Sequence, residues 1–302
     1  MTKAKALKKS KIVYVAGYGR SGSTLLDSAL GNHADILGAG ELTWLFQYAA
    51  DAASCTCGAP LMTCEIWREV LRRVVPSLEH DELQRVARES AAAERFMTDR
   101  RSHVRHREIW ETAFAAIREL TGRSTIVDSS KSTRSTYHRL HLLNGLQQSE
   151  VYVLHLVRNP RGVMHSARRG SNRRLEAGQP ATMVAASARA LTSWLIANRN
   201  VQRYCLRHMA GRYVCVRYEE LVQHPQRVMA NIGAVIDCDL SAIADALVGQ
   251  IPLETGHGVS GNRLRRSGPI QLRVDTEWQH QPHRMDRLLA ALARPWTKSY
   301  GY

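Results

Sequence analysis

The chain is expected to fold as a doubly wound α/β domain, a parallel sheet flanked by helices and joined by right-handed crossovers. Two observations point there. Four short segments, Lys11–Ala16, Ser124–Asp128, Val151–Val157 and Arg212–Arg217, are nearly continuous apolar runs rich in β-branched residues, as in strands covered on both faces. Long stretches of helical pattern alternate with them.

In chain order, residues 1–10 read as a basic, flexible leader. Lys11–Ala16 then enters a glycine turn at Gly17-Tyr-Gly19, and Thr24–Leu30 reads as the first helix. Glu65–Val75, Asp81–Met97 and Arg107–Leu120 read as helices, with no good strand between residues 48 and 123. That region is expected to be a helical insertion between the first and second strands, inside one domain spanning 1–302, and to help form an acceptor pocket. Thr136–Leu146 and Thr182–His208 follow. In the latter, Val184, Ala188, Leu191 and Leu195 recur at spacings of four, three and four, which puts them on one face.

Composition narrows the class. The 302 residues are 44% hydrophobic with a mean hydropathy of −0.31, which suits a globular core and excludes disordered and collagen-like chains. No apolar run approaches the roughly 18 residues of a membrane span, and Ile12–Ala16 is too short for a signal-peptide core. A soluble, unexported, cytoplasmic protein is expected. The 42 Lys+Arg against 27 Asp+Glu leave a net charge of +15, which speeds association with any polyanion, whether nucleic acid, glycan, nucleotide or membrane.

Gly17-Tyr-Gly-Arg20-Ser-Gly22-Ser-Thr24-Leu-Leu26 joins the first strand to the first helix, where backbone N–H groups and the helix dipole favour a phosphate or sulfate. The hydroxyls of Ser21, Ser23 and Thr24 add donors. The Gly17-x4-Gly22 spacing mimics a Walker A loop, but Ser23 stands where its lysine belongs and the cation is Arg20. A standard ATPase or kinase is therefore disfavoured.

The octet Gly19–Leu26 resembles the 5′-phosphosulfate loop of sulfotransferases that use 3′-phosphoadenosine 5′-phosphosulfate (PAPS), with Arg20 as in carbohydrate and tyrosylprotein members. The run Val151–Ser166 is similar to the same family's 3′-phosphate motif: a strand ending in Arg158, a turn at Pro160, and a helix carrying Ser166. Physically, Arg158 can fork onto a phosphate while Ser166 donates from the facing helix. Arg217-Tyr218-Glu219 with Pro225 looks like the segment whose tyrosine lies near the adenine. Gly261-Asn262-Arg-Leu-Arg265, followed by Trp278, is similar to the C-terminal loop that closes over the cofactor in bacterial members.

The resemblance implies a nucleotide-kinase-like P-loop sheet flanked by helices, with PAPS as donor and adenosine 3′,5′-bisphosphate as product. The cofactor set is Gly19, Arg20, Ser21, Gly22, Ser23, Thr24, Leu25, Arg158, Ser166, Tyr218, Asn262 and Arg265. Gly40-Glu41 resembles the Gly-Glu that supplies the base in tyrosylprotein and related members, and Lys131, at the end of the second predicted strand, resembles the lysine that reaches the sulfuryl group. Glu41, Arg20 and Lys131 are thus the expected catalytic groups. Asp128 is expected to orient Lys131 or its loop, with His103 and His106 as further candidate bases. No metal is implied, because Arg20 and Lys131 can supply the positive charge. The acceptor, a hydroxyl on a glycan, small metabolite or peptide, stays open, as does oligomeric state. A basic nucleic-acid or polyanion binding protein with a nucleotide-sensing loop, and an atypical small-molecule kinase, are the alternatives.

Six cysteines are too few for a disulfide scaffold. Cys205, Cys215 and Cys238 lie in apolar stretches and read as core residues. Cys55, Cys57 and Cys64 have no fourth Cys or His within ten residues of Cys64, so metal binding, a disulfide from Cys64 to one of the pair, and free thiols all remain open.

Overall fold

Strands β1 (Ser10–Ala16), β2 (Ile36–Gly38), β3 (Thr125–Asp128), β4 (Ser149–Val157) and β5 (Tyr213–Arg217) pair in parallel, in the order β2-β3-β1-β4-β5. The computed structural model describes residues 10–96, 99–133, 136–169, 183–259, 268–280 and 283–302; of the expected leader 1–10, residues 1–9 lie outside them, and Ser10 opens β1 instead. All four expected strands are present. β2 was not foreseen, because three residues at a sheet edge are too few to show a period. Helix α1 (Ser23–Gly31) leads to it, so residues 48–123 fall between the second and third strands, not between the first and second.

Period-two alternation divides the strand side chains between two apolar layers. Ile12, Tyr14, Ile126, Val151 and Val153 face one side, where Phe46 of α2 (Leu45–Ala50), Trp67 of α3 (Trp67–Val74), Val86 of α4 (His80–Phe96), and Trp110 and Phe114 of α5 (Arg100–Thr121) cover them. Val13, Val15, Val127, Leu154 and Leu156 face the other side, under Leu26 of α1. Because both faces are covered, the strands carry no polar alternation. Residues 48–123 thus supply much of one covering layer, and among the described residues none of them lines the large cleft described below. The expected contribution of this region to an acceptor pocket is not seen.

Helix boundaries follow local hydrogen bonding. Helix α5 starts two turns before the expected Arg107 because Asp99 caps it, its carboxylate accepting from Ser102 N at 2.9 Å. Helix α6 is only Arg139–Leu143, shorter than expected, because Thr136 is spent on a turn in which its hydroxyl donates to Lys131 O at 2.8 Å. Helix α7 (Pro160–Arg168) has proline in its first turn and Asn159 as its cap. In α8 (Met183–His208), Leu191 is buried as expected, but Ala188 and Leu195 are half-buried. Polar partners help set its rotation: Trp194 Nε1 donates to Arg158 O at 3.1 Å, and Asn198 Oδ1 meets His155 Nε2 at 3.0 Å.

Helices α9 (Tyr218–Gln223), α10 (Pro225–Ile236) and α11 (Ser241–Val248) complete the second layer, while α12 (Glu277–His280) and α13 (Arg284–Thr297) pack near α7. Cys205 is core as expected; Cys215 is exposed on the edge strand β5 and Cys238 is half-buried, which corrects their reading as core. No helix among the described residues is long and apolar enough to cross a membrane.

Beneath the sheet's carboxyl edge lies a buried ionic cluster. Arg139, fully buried, donates through Nε to Asp128 Oδ2 at 2.8 Å and pairs with Glu94, which also meets His106 Nε2 at 3.1 Å. Burial pushes the Glu94 carboxyl up, but the Arg139 charge and the hydrogen bonds from His106 and Thr43 outweigh it and hold the group below its ordinary value. Arg139→Met would leave two carboxylates buried without their cation. We expect a loss of about 3–5 kcal/mol by urea unfolding. A carboxyl depressed in the folded state contributes stability above its unfolded value near 4.5 and loses it as pH falls. That acid-sensitive component should therefore shrink in the variant. An unchanged urea midpoint would refute the cluster's role.

Candidate active site

The glycine turn after β1 is built by backbone conformations few side chains adopt. Gly17 has φ +111°, and a Cβ there would lie 2.4 Å from Leu156 O. Arg20 takes φ +66°, and Gly22, at φ +92°, is the N-cap of α1 with no side chain closing the first turn. The positive end of the α1 dipole therefore opens to the adjoining cleft. Ser21 departs from expectation: its hydroxyl donates to Tyr18 O at 2.8 Å, so it shapes the loop and does not line the cleft.

The cleft has a volume of about 990 Å³ and lies at the carboxyl ends of the strands, where doubly wound sheets place ligands. Gly19, Arg20, Gly22, Ser23, Thr24, Leu25, Glu41, Lys131, Arg158, Ser166 and Tyr218 all line it. Among the described residues five cations, Arg20, Lys131, Arg158, Arg169 and Arg273, face two carboxylates, Glu41 and Asp275. The excess of positive charge suits an anionic ligand.

Arg158, at the end of β4, is 6% exposed and lies over the Tyr218 ring at 4.7 Å. Its NH1 donates to Arg20 O at 3.1 Å and its NH2 pairs with Asp275 at 2.6 Å, while its buried Nε has no partner among the described residues. Burial pushes the Tyr218 phenol up against the pull of the Arg158 charge. Ser166, on α7, receives Arg20 NH1 at its carbonyl (2.8 Å) and its hydroxyl (3.0 Å), so Arg20 bridges the loop to α7. Burial also lowers the Arg20 pKa from its ordinary value, Tyr18 opposing.

Glu41 and Lys131 meet as an ion pair, from loops 90 residues apart. Lys131 lies at φ +66°, a conformation held because its carbonyl accepts from the Tyr14 and Thr136 hydroxyls. Glu41 N donates to Val259 O at 2.7 Å, and Ser129 N donates to Gly40 O at 2.7 Å. Asp128 does not touch Lys131. It accepts from Ser130 N at 3.0 Å and holds Arg139, so it orients the loop but not the lysine directly. Neither Asp128, His103 nor His106 lines the cleft.

Asn262 and Arg265 lie outside the described residues. Trp278 is buried, donating through Nε1 to Asp275 O at 3.2 Å behind the cleft wall. Sequence reasoning missed Asp275 and Arg273, which belong to no motif and come to Arg158 and Tyr218 only through the fold, and it missed Trp44. It also missed His257, which joins Cys55, Cys57 and Cys64 away from the cleft.

Gly22 cannot take a side chain without a clash, since a Cβ there would meet Tyr218 Cδ2 at 2.5 Å. Gly22→Ala should lose about 1–3 kcal/mol from the positive φ, beyond the cost of the clash. Adding Tyr218→Ala should remove only the clash part. If Gly22→Ala then costs nothing relative to Tyr218→Ala alone, by urea unfolding, φ strain is absent.

The model of the sulfotransferase family matches residues 13–242. No curated protein matches the chain. Among solved structures, the sulfotransferase domain from the curacin biosynthetic pathway aligns with a TM-score of 0.53 and 17% identity, over 94% of this chain and 96% of that one. The sulfotransferase domain from the Synechococcus PCC 7002 olefin synthase aligns with a TM-score of 0.49 and 22% identity, over 100% and 98%. The first of these supports the fold alone; the family match covers most of the sheet and both expected phosphate motifs. The chain belongs to the sulfotransferase family, enzymes that use PAPS as sulfuryl donor.

Proposed function

We propose that the protein transfers the sulfuryl group of PAPS to a hydroxyl on a glycan, small metabolite or peptide by in-line displacement, with Glu41 as general base. The observation that carries this reading is the Glu41–Lys131 pair in the same cleft as the glycine loop and the buried, partly unpartnered Arg158 guanidinium. The acceptor O–H proton passes to Glu41, the acceptor oxygen forms its bond to sulfur, and the bond from sulfur to the 5′-phosphate oxygen breaks. Adenosine 3′,5′-bisphosphate leaves. Lys131, Arg20 and the α1 dipole meet the charge that develops on the transferred group and on the leaving oxygen. Arg158 and Ser166 take the 3′-phosphate, displacing Asp275, and Tyr218 flanks the adenine.

Glu41→Gln keeps size and removes basicity. Turnover should fall roughly 10²- to 10⁴-fold, with adenosine 3′,5′-bisphosphate affinity unchanged by calorimetry. Near-normal turnover in this variant would sink the assignment.

Arg158→Ala removes a charge-assisted hydrogen bond worth about 1.5–3 kcal/mol. Adenosine 3′,5′-bisphosphate should bind roughly 10- to 150-fold more weakly, while AMP binding barely changes. Equal weakening of both nucleotides would remove Arg158 from the 3′-phosphate site.

A further inference from the structure

Outside the cleft, the fold gathers four metal-ligating side chains that the sequence keeps far apart. Cys55, Cys57 and Cys64 lie on the loop between α2 and α3, and His257 arrives from a segment 193 residues beyond Cys64. Their ligand atoms all fall within 4.8 Å of one another. Cys64 Sγ lies 3.4 Å and Cys55 Sγ 4.0 Å from His257 Nδ1, and Cys57 Sγ lies 3.9 Å from Cys64 Sγ. A tetrahedral zinc with bonds of about 2.3 Å to sulfur and 2.0–2.1 Å to nitrogen has ligand edges of about 3.8 Å (S to S) and 3.6 Å (S to N). The three observed separations lie close to those edges. All three cysteines are free thiols.

The surroundings fit the same ion. The other imidazole nitrogen, His257 Nε2, lies 3.3 Å from Glu65 Oε1, the carboxylate partner that fixes a ligating histidine's tautomer and ring orientation. Cys55 and Cys64 are 3% and 1% exposed.

We propose that Cys55, Cys57, Cys64 and His257 bind a structural zinc ion that clamps the loop after α2 to the segment ending at Val259. Three thiolates and one imidazole close the coordination sphere and leave no open position, so the ion is structural, not catalytic. Soft thiolates select zinc over magnesium or calcium. The thiol protons are released as the metal binds. The clamp bears on the active site through two residues of chain. Thr56 N donates to Gly258 O at 3.2 Å and Gly258 N donates to Thr56 Oγ1 at 2.6 Å. Val259 N then donates to Ala39 O at 2.8 Å and Val259 O accepts from Glu41 N. A short run of backbone hydrogen bonds thus joins the zinc ligands to the backbone of Glu41.

The test is metal analysis of the full chain, purified without chelator from zinc-supplemented cells, by elemental mass spectrometry and native mass spectrometry. About one zinc per chain is expected, with His257→Ala reduced to background. Glu65→Gln, on an exposed side chain, should retain the fold and weaken zinc affinity by about tenfold. A competing chelator should lower the Tm of the wild type, and zinc but not magnesium should restore it. The Tm of His257→Ala should not respond to chelator. Three results would overturn the proposal: a wild-type chain that stays metal-free after zinc is supplied to the reduced protein, stoichiometric iron in place of zinc, or a Cys57–Cys64 or Cys55–Cys64 disulfide mapped in the freshly isolated protein.

Discussion

The site depends on one buried cation. Arg139 lies between Asp128 and Glu94 with no exposed surface, and both carboxylates reach outward to the loops bearing Lys131 and Glu41. Asp128 grips Ser130, next to Lys131, and Ser130 Oγ accepts from Thr43 N at 3.0 Å. Glu94 accepts from the Thr43 hydroxyl at 2.5 Å, two residues from Glu41. The loops bearing Lys131 and Glu41 therefore hang from the same guanidinium. Desolvating three charges is costly, and such a cluster is weak evidence of stability by itself. Its geometric effect is to hold two polar loops in one register over the sheet edge, where Asp128 at the end of β3 and Tyr14 of β1 supply the contacts.

Four backbone positions with positive φ stand around that anchor. Gly17 and Gly22 take positive φ where a side chain would strike backbone or ring, while Arg20 and Lys131 take positive φ despite carrying side chains. For Lys131 the holding force is visible, since two hydroxyls converge on its carbonyl. Tight loops bring cations and amides to one place, which a helix or strand with fixed side-chain spacing could not do.

Groups of the chain itself engage cations of the cleft. Asp275 occupies Arg158 and Glu41 occupies Lys131, while Arg20 rests on Ser166. In the proposed reaction an entering anion exchanges these contacts for its own, so its apparent affinity is a difference between two sets of charge-assisted bonds. The large net charge of the chain acts earlier, on encounter, and does not choose among anions.

Local patterns determined most of the sheet and the glycine loop. Ile12–Val15 and Val151–Val157 are apolar on both faces because each face is covered, and Gly17–Gly22 must be glycine-rich because the backbone there turns left-handed; both constraints act within a few residues and are legible in the sequence. The resemblance at Glu41 and Lys131 named two residues but not their contact, which arises from parallel β3 and the loop after β2 ending at one edge. The short strand β2 was illegible because three residues carry no period. The apolar face of α8 at Leu191 and Leu195 was legible in its spacing, while Trp194 and Asn198, with partners on β4 and after it, help set its rotation. Asp275 on Arg158 and His257 among the three cysteines were decided by tertiary structure alone. In each case the partners lie more than a hundred residues apart, and no local propensity encodes a meeting that only the closed sheet and its crossing segments bring about.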